Sequence, residues 1–486
     1  MHAARRPQDM ERRGLLRKTR HLHRASASIL AAAGLVAATL ALPGSALAQN
    51  SKQEYPIPRT PAEDLTAIER IFEPPKPPPL TAFPELREKW KDTPGFLRDS
   101  RVSFEARSYF RDYVSSSPAS STMEQAWASG GSVSAETGKL FDLVTLGAML
   151  YTSFPVIAPP QYGNTGLLLP DQQGFAVFGQ LYGQAHLFDD HRITLGRYLY
   201  NTPFLGPHDN RMAPQTFSGY TVSGTLGGDG TRAGGPSFRY GGGFIDAIKP
   251  RDALAFQSMA SAAGVPNSNA GVGMLGGLMT WGPARIGAIN YYSHDLLNIF
   301  YTEGKIGHDF GGGFTALAAA QFVAQNSTGL SQMNGGTPFA TSEFGAKVDL
   351  GYDTGILTLG YSVTNPGLGI LTPWSASPFY TSALIQNFQR AGEQAVMVGL
   401  SHSLIGLGLP AAVSTHFFNG WTTAAAAGPP LVESEWDFHV DWQPDHDRLQ
   451  GLWFRVQYGR FTIWQGGTVT NGEELRVVLN YKLNLY

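Results

Sequence analysis

The chain has 486 residues, with 36 Lys+Arg against 38 Asp+Glu, no cysteine, 57 Gly and 12% aromatic residues. Residues 1–48 hold 8 Lys+Arg and 2 Asp+Glu, which leaves 28 basic against 36 acidic residues beyond them, a net of −8. An acidic chain is a poor nucleic-acid partner, the lack of cysteine excludes disulfides, and no apolar run after residue 48 reaches the length of a transmembrane helix.

The N-terminus reads as a targeting segment. Arg12, Arg13, Arg17, Lys18, Arg20 and Arg24 precede the apolar run 29–42, and "ALA" at 46–48 offers a small-x-small cleavage site. An apolar run of 14 falls short of the roughly 20 needed to span a membrane. Residues 1–48 are therefore expected to be a cleaved signal peptide. Residues 49–96 read as an irregular, proline-rich lead-in on the periplasmic side, with five prolines between Pro74 and Pro79 favouring extended backbone.

From about residue 97 the chain becomes a series of alternating segments. In "EWDFHVDW" (435–442), Trp436, Phe438, Val440 and Trp442 alternate with Asp437, His439 and Asp441. A strand places successive side chains on opposite faces, so one face is oily and the other charged. The same pattern runs through 98–110, 342–352, 451–459 and 474–485. A soluble sandwich also alternates, and the joins decide between the two. Short joins at 189–192, 308–313 and 352–355 interleave with long ones around 155–172, 200–215, 248–270, 326–340, 364–392 and 422–432. Short turns at one end and long loops at the other are the arrangement of an outer-membrane barrel.

Eighteen strands are predicted, at 99–112, 126–138, 140–152, 173–187, 192–200, 216–227, 237–247, 271–280, 284–293, 299–309, 313–325, 341–352, 355–363, 393–404, 410–421, 433–442, 450–460 and 472–486. A count of 16 stays open. The fold expected is all-β, a transmembrane antiparallel barrel over 97–486 with lipid outside and a watery lumen inside. Trp90, Trp127, Trp281, Trp421, Trp442 and Trp464 fall near segment ends and suit an aromatic girdle at headgroup depth.

The stretch "GRYLYNTPFLGPHDNRMAPQTFSGY" (196–220) resembles the OprD family of outer-membrane porins. The positions that carry the likeness are Gly196, Arg197, Pro203, Asp209, Arg211, Met212, Pro214, Phe217 and Gly219. "RLQGLWFRVQYG" (448–459) and "EELRVVLNYKL" (473–483) look like the closing strands of that family, and the likeness covers about 96–486. It implies an 18-stranded barrel that passes small solutes, usually bearing a carboxylate, along a ladder of basic residues. By porin analogy the third long loop, 200–215, folds inward as the constriction. Barrel assembly machinery would engage the C-terminal strand, and the barrel would act as a monomer or a homotrimer. The proline-rich lead-in departs from the family pattern.

Within the constriction, Arg211, Asp209, His208 and Arg197 are the candidate solute-binding residues. Arg211 can pair a carboxylate through two parallel bonds, or it can pair with Asp209 or a barrel carboxylate and only pin the loop. Arg197 conflicts with parity, because it shares a face with Ile193 and Leu195; a bulge or a place at the membrane edge would resolve this. Alternation puts Arg107, Lys305, Lys347, Arg455 and Arg476 in the lumen, together with Glu105, Glu303, Glu343, Asp349, Asp437 and Asp441. No Walker loop, HExxH or GxSxG occurs, and His208 beside Asp209 falls short of a metal site. No catalysis and no cofactor are expected. A barrel-embedded hydrolase and a structural or adhesive surface protein are the rival readings. An energy-coupled transporter would need a plug domain for which the lead-in is too short.

Overall fold

Eighteen long antiparallel strands close on themselves in this computed structural model, which describes residues 81–485 apart from 189, 424–427, 445, 447 and 448. The expected signal peptide, its cleavage site, the proline run and Tyr486 lie outside the described residues. Each predicted strand overlaps one observed strand. The first is Arg101–Ser116, the second Ser121–Glu136 and the eighteenth Thr468–Asn484. The first and eighteenth pair from Ser103↔Asn484 to Ser116↔Asn471, which closes the sheet. A two-residue strand, Gln257–Ser258, adds to the seventh, Ser237–Lys249.

Closure is what lipid demands, because every backbone N–H and C=O at membrane depth must find a partner within the protein. The side-chain period of two then sorts the residues between lipid and lumen. In the sixteenth strand, Leu431–Trp442, Trp436 and Phe438 are 63% and 45% exposed, whereas Asp437 is 2% exposed. In the twelfth, Ala340–Tyr352, Phe344, Val348, Leu350 and Tyr352 are exposed outside and Glu343 and Asp349 are buried inside.

The joins 158–174, 199–215, 250–271, 328–339 and 365–392 lie at one end of the barrel. At the other end, joins such as 282–283, 312–313 and 353–354 are tight turns. The long-loop end is less uniform than expected. The first two strands are longer than read from the sequence and meet through 117–120, and 293–296 and 466–467 are also short. The lead-in also departs from the expectation of irregular chain. Residues 84–89 and 95–98 are helical, the Ala82 and Phe83 amides donate to the carbonyls of Asn484 and Leu485 at 2.8 and 2.9 Å, and the Gly138 amide donates to Phe96 O at 3.0 Å. Trp90 follows the first of these helices and lies on no barrel strand.

Phe438→Arg is expected to lower the folding free energy in lipid vesicles by about 2–4 kcal/mol, by placing a guanidinium in the outward apolar band. Thr358→Lys on the inner face should change it by less than about 1 kcal/mol. Urea titration of vesicle-bound barrel reads both, and equal losses would mean that the faces are wrongly assigned.

Candidate functional site

Residues 199–215 connect the fifth strand, Arg192–Tyr198, to the sixth, Thr216–Gly227, and their packing is against inner-face residues on two sides. Thr202 starts a tight turn, with its hydroxyl donating to Leu205 O at 2.8 Å and accepting from the Leu205 amide at 3.1 Å. That turn presents Phe204, 0% exposed, to Tyr291, Tyr301 and Phe379 at ring separations of 6.2, 5.9 and 6.4 Å. Tyr291 belongs to the ninth strand, Ala284–Tyr292, and Tyr301 to the tenth, Leu297–Gly311. Gln215 donates to the carbonyls of Gly206 and Trp374 at 2.7 and 2.6 Å. Trp374 in turn donates its indole N–H to Met259 O at 2.8 Å. Segments 199–215, 250–271 and 365–392 thus share one apolar cluster with the ninth and tenth strands.

The other side of the same segment meets the first strand. Arg107 donates to Asp209 Oδ1 at 2.7 Å, to Arg211 O at 2.5 Å, and to Glu105 and Asn480 at 3.0 Å each. The Tyr109 hydroxyl donates to Asn210 O at 3.0 Å. The partner of Asp209 is therefore Arg107 and not Arg211. Burial opposes the charge on Asp209, but Arg107 outweighs it and holds the carboxyl below its usual value. Arg211 donates to Thr165 O at 2.9 Å and to Asn210 O at 2.7 Å, and both partners are carbonyls. Burial first, and Arg476 second, push the Arg211 guanidinium down to about 9. His208 sits at positive φ (45°), and burial together with Arg251 and Arg211 pushes it down to about 3, so it is neutral at pH 7.

Arg197 is not part of this group. It is exposed beside Leu195 and opposite Leu181, and its guanidinium lies 4.5 Å from the centre of the Phe256 ring. The fifth strand pairs without a register shift there, so no bulge turns Arg197 inward and parity prevails.

The predicted basic ladder is on the inner face. Arg455 holds Asp441 at 2.6 Å, Lys347 holds Asp349 at 2.9 Å, and Arg476 holds Glu474 at 2.6 Å. Lys305 is buried opposite Arg285 in the register. Sequence reasoning missed Arg111, which bridges Glu474 at 2.8 Å and Glu124 at 2.5 Å, and Arg251, which donates to Asn210 Oδ1.

It also missed what the inward acids hold. Glu435 accepts the backbone amides of Ile385 and Gln386 at 2.7 Å each, and Asp437 accepts that of Leu384 at 2.8 Å. Arg390 reaches Glu433 at 2.9 Å, and Tyr380 donates to Glu303 at 2.9 Å. Segment 365–392 is thus fastened along the acid row Glu433–Glu435–Asp437. A Cβ at Gly459 would stand 2.8 Å from Asp437 Oδ1 and 3.1 Å from Leu384 Cδ2, so a bare glycine makes room for this contact. The signal was present two residues upstream of "EWDFHVDW". Three acids at i, i+2 and i+4 on one lumen-facing strand, with no cation on that strand, require donors from elsewhere.

The profile described as outer membrane porin, OprD family, matches residues 94–485. The chain belongs to the OprD family of outer-membrane porins. These are channels through which small solutes cross the outer membrane. Similar solved structures include OpdK of Pseudomonas aeruginosa in complex with vanillate, 18% identical over 80% of this chain and 100% of that one, with a TM-score of 0.68. OccK9 (OpdG) of the same organism is 18% identical over 81% and 100%, with a TM-score of 0.69. A BenF-like porin from Pseudomonas fluorescens Pf-5 is 16% identical over 80% and 100%, with a TM-score of 0.69. Among curated proteins there is no match.

Phe204→Ala removes the side chain that ties segment 199–215 to the ninth and tenth strands, at about 3–5 kcal/mol of local packing. Single-channel recordings of this OprD-family barrel should then show larger, noisier openings while the barrel still folds. Unchanged conductance would show that this packing does not set the width of the passage.

Proposed function

We propose that this porin is a passive channel favouring small solutes that carry a carboxylate, with Arg211 as the group that recognises it and segments 199–215 and 365–392 as the narrowing. The observation that carries this reading is the state of Arg211. It is 8% exposed and bonded to carbonyls alone, whereas Arg107, Arg111, Arg455 and Arg476 each hold a carboxylate. A buried guanidinium without a counter-ion is stabilised by an incoming anion, and its planar fork matches a carboxylate. Arg251 stands nearby and adds positive field, which a low-dielectric channel strengthens. Of the acids close by, Glu474 is bridged by Arg111 and Arg476 and Asp209 by Arg107, while Asp252 lies within electrostatic reach of Arg251. The relative OpdK was solved with vanillate, an aromatic carboxylate.

On this reading Asp209 is a positioning residue and His208 contributes shape without charge. Residues 1–48 direct export, and the eighteenth strand is the segment that barrel assembly machinery engages.

Planar-bilayer recording of the refolded chain tests the proposal. Benzoate should block discrete current steps, and Arg211→Ala should weaken the block about tenfold or more, the loss expected for hydrogen bonds to a charged group. Block that survives unchanged in Arg211→Ala would sink the assignment. Because burial holds His208 down to about 3, the pH dependence of conductance between pH 5 and 8 should be the same in His208→Gln as in the parent chain. A difference within that window would show that His208 is charged.

A further inference from the structure

Two histidines in the lumen wall have no part in the reading above. His416 lies on the fifteenth strand, Ala411–Thr422, and His439 on the sixteenth. Their chain neighbours Phe417 and Phe438 are exposed on the outer wall, so both imidazoles belong to the inner face. The register pairs His416 with Asp437 and His439 with Ser414, which makes the two rings diagonal neighbours. Their centroids are 6.0 Å apart with planes at 63°.

We propose that His416 and His439 form a two-nitrogen site for a borderline divalent cation of the copper, nickel or zinc type. The separation is the first support. A metal–nitrogen bond of about 2.0–2.1 Å puts a ring centroid about 3.2 Å from the ion, so two rings on one ion cannot stand more than about 6.4 Å apart. The observed 6.0 Å lies inside that bound.

The second support is the state of the nitrogens. His439 Nε2 is buried and makes no hydrogen bond with a described residue, while Nδ1 faces the Gln457 side-chain amide at 3.4 Å. As placed, the Gln457 amide nitrogen donates to Nδ1; with the amide turned over, its oxygen accepts an Nδ1–H, the kind of bond that leaves Nε2 free to ligate.

The third support is the seat of His416. Its Cδ2–Nε2 edge lies over Gly399 of the fourteenth strand, Glu393–Ser403, where a Cβ would come within 2.3 Å of Cδ2. Glycine there lets the ring lie along the wall, with the Nδ1 edge turned away from Gly399.

The surrounding charges are balanced. Arg455 and Arg476 are within electrostatic reach of His439, and each is bridged to a carboxylate at 2.6 Å. Asp349, within reach of His416, is bridged to Lys347 at 2.9 Å. Among the described residues no three His, Cys, Asp or Glu gather as ligands, so water completes the shell and the ion exchanges freely. Imidazole ligands favour copper, nickel and zinc over magnesium and calcium. Asp437, opposite His416, also holds the Leu384 amide, so an ion here lies beside segment 365–392 and adds positive charge to the passage.

Two readouts test the site. Cu²⁺ added to the full chain refolded in detergent should give an electron paramagnetic resonance signal with two coordinated nitrogens, lost in both His416→Gln and His439→Gln. This readout needs no conductance, so it stands even if the channel reading fails. In planar bilayers, micromolar Cu²⁺ or Ni²⁺ should reduce the current, Mg²⁺ should not, and either variant should raise the half-blocking concentration at least tenfold. Each variant is first checked for the barrel's heat-modifiable migration, so that loss of fold is not read as loss of site. A copper signal unchanged in both folded variants, or equal block by Mg²⁺, would overturn the proposal.

Discussion

The backbone of a strand in lipid has no water to bond, and the rest of this structure follows from that constraint. The first and eighteenth strands meet over a continuous register from Ser103↔Asn484 to Ser116↔Asn471, so the sheet has no free edge. With 18 strands the first strand starts and the last strand ends on the tight-turn side, and the long joins gather at the other. The period of two then makes each strand specify two environments at once. Trp436 and Phe438 can face lipid only if Glu435 and Asp437 face inward, and a slip of one residue would reverse both.

A barrel of this size is wide enough to hold water. Segments 199–215, 250–271 and 365–392 take up part of that width, but irregular chain brings backbone groups that need partners. Part of the solution is apolar, in the packing of Phe204, Trp374 and Phe379 against Tyr291 and Tyr301. The rest is ionic. Glu435 and Asp437 accept three consecutive amides, and Glu433 accepts Arg390. Carboxylates used in this way fix the fold of the joins. The first and eighteenth strands add Arg107, Arg111 and Arg476, bridged to Glu105, Asp209 and Glu474, and Arg211 approaches them from the join. Many of the inward acids are thus committed to loop amides or to cations of the wall.

Strand number, order and facing were legible because lipid and water impose a strict period on the residues between them. Arg197 shows the strength of that rule. The family motif placed it with Arg211, parity placed it with Leu195, and it lies outside over Phe256. The joins were legible only in part. The motif marked 200–215 as the constriction and left Asp209 open as a partner of Arg211, yet the ion pair formed with Arg107, about a hundred residues away, and not with Arg211 two residues on. Segment 365–392 gave no signal of its own, since it has no period and its partners Glu433, Glu435 and Asp437 lie some fifty residues downstream. Long-range pairing of a loop with a wall leaves no pattern in the loop, and the acid row of the wall says only that donors come from elsewhere.

Identity of 14–19% to the solved porins is enough for the same barrel, because alternation constrains residue class and not residue identity. The lumen works by the opposite logic. On the proposed reading its chemistry rests on single groups such as Arg211, whose hydrogen-bond partners among the described residues are carbonyls. Moving one acid could change the sign of such a site without disturbing a strand. The acid row of the sixteenth strand resists that change, because each of its members also holds part of 365–392. An acid lost there would free loop amides as well as remove charge, so the charge of the wall and the fold of 365–392 are coupled through the same carboxylates.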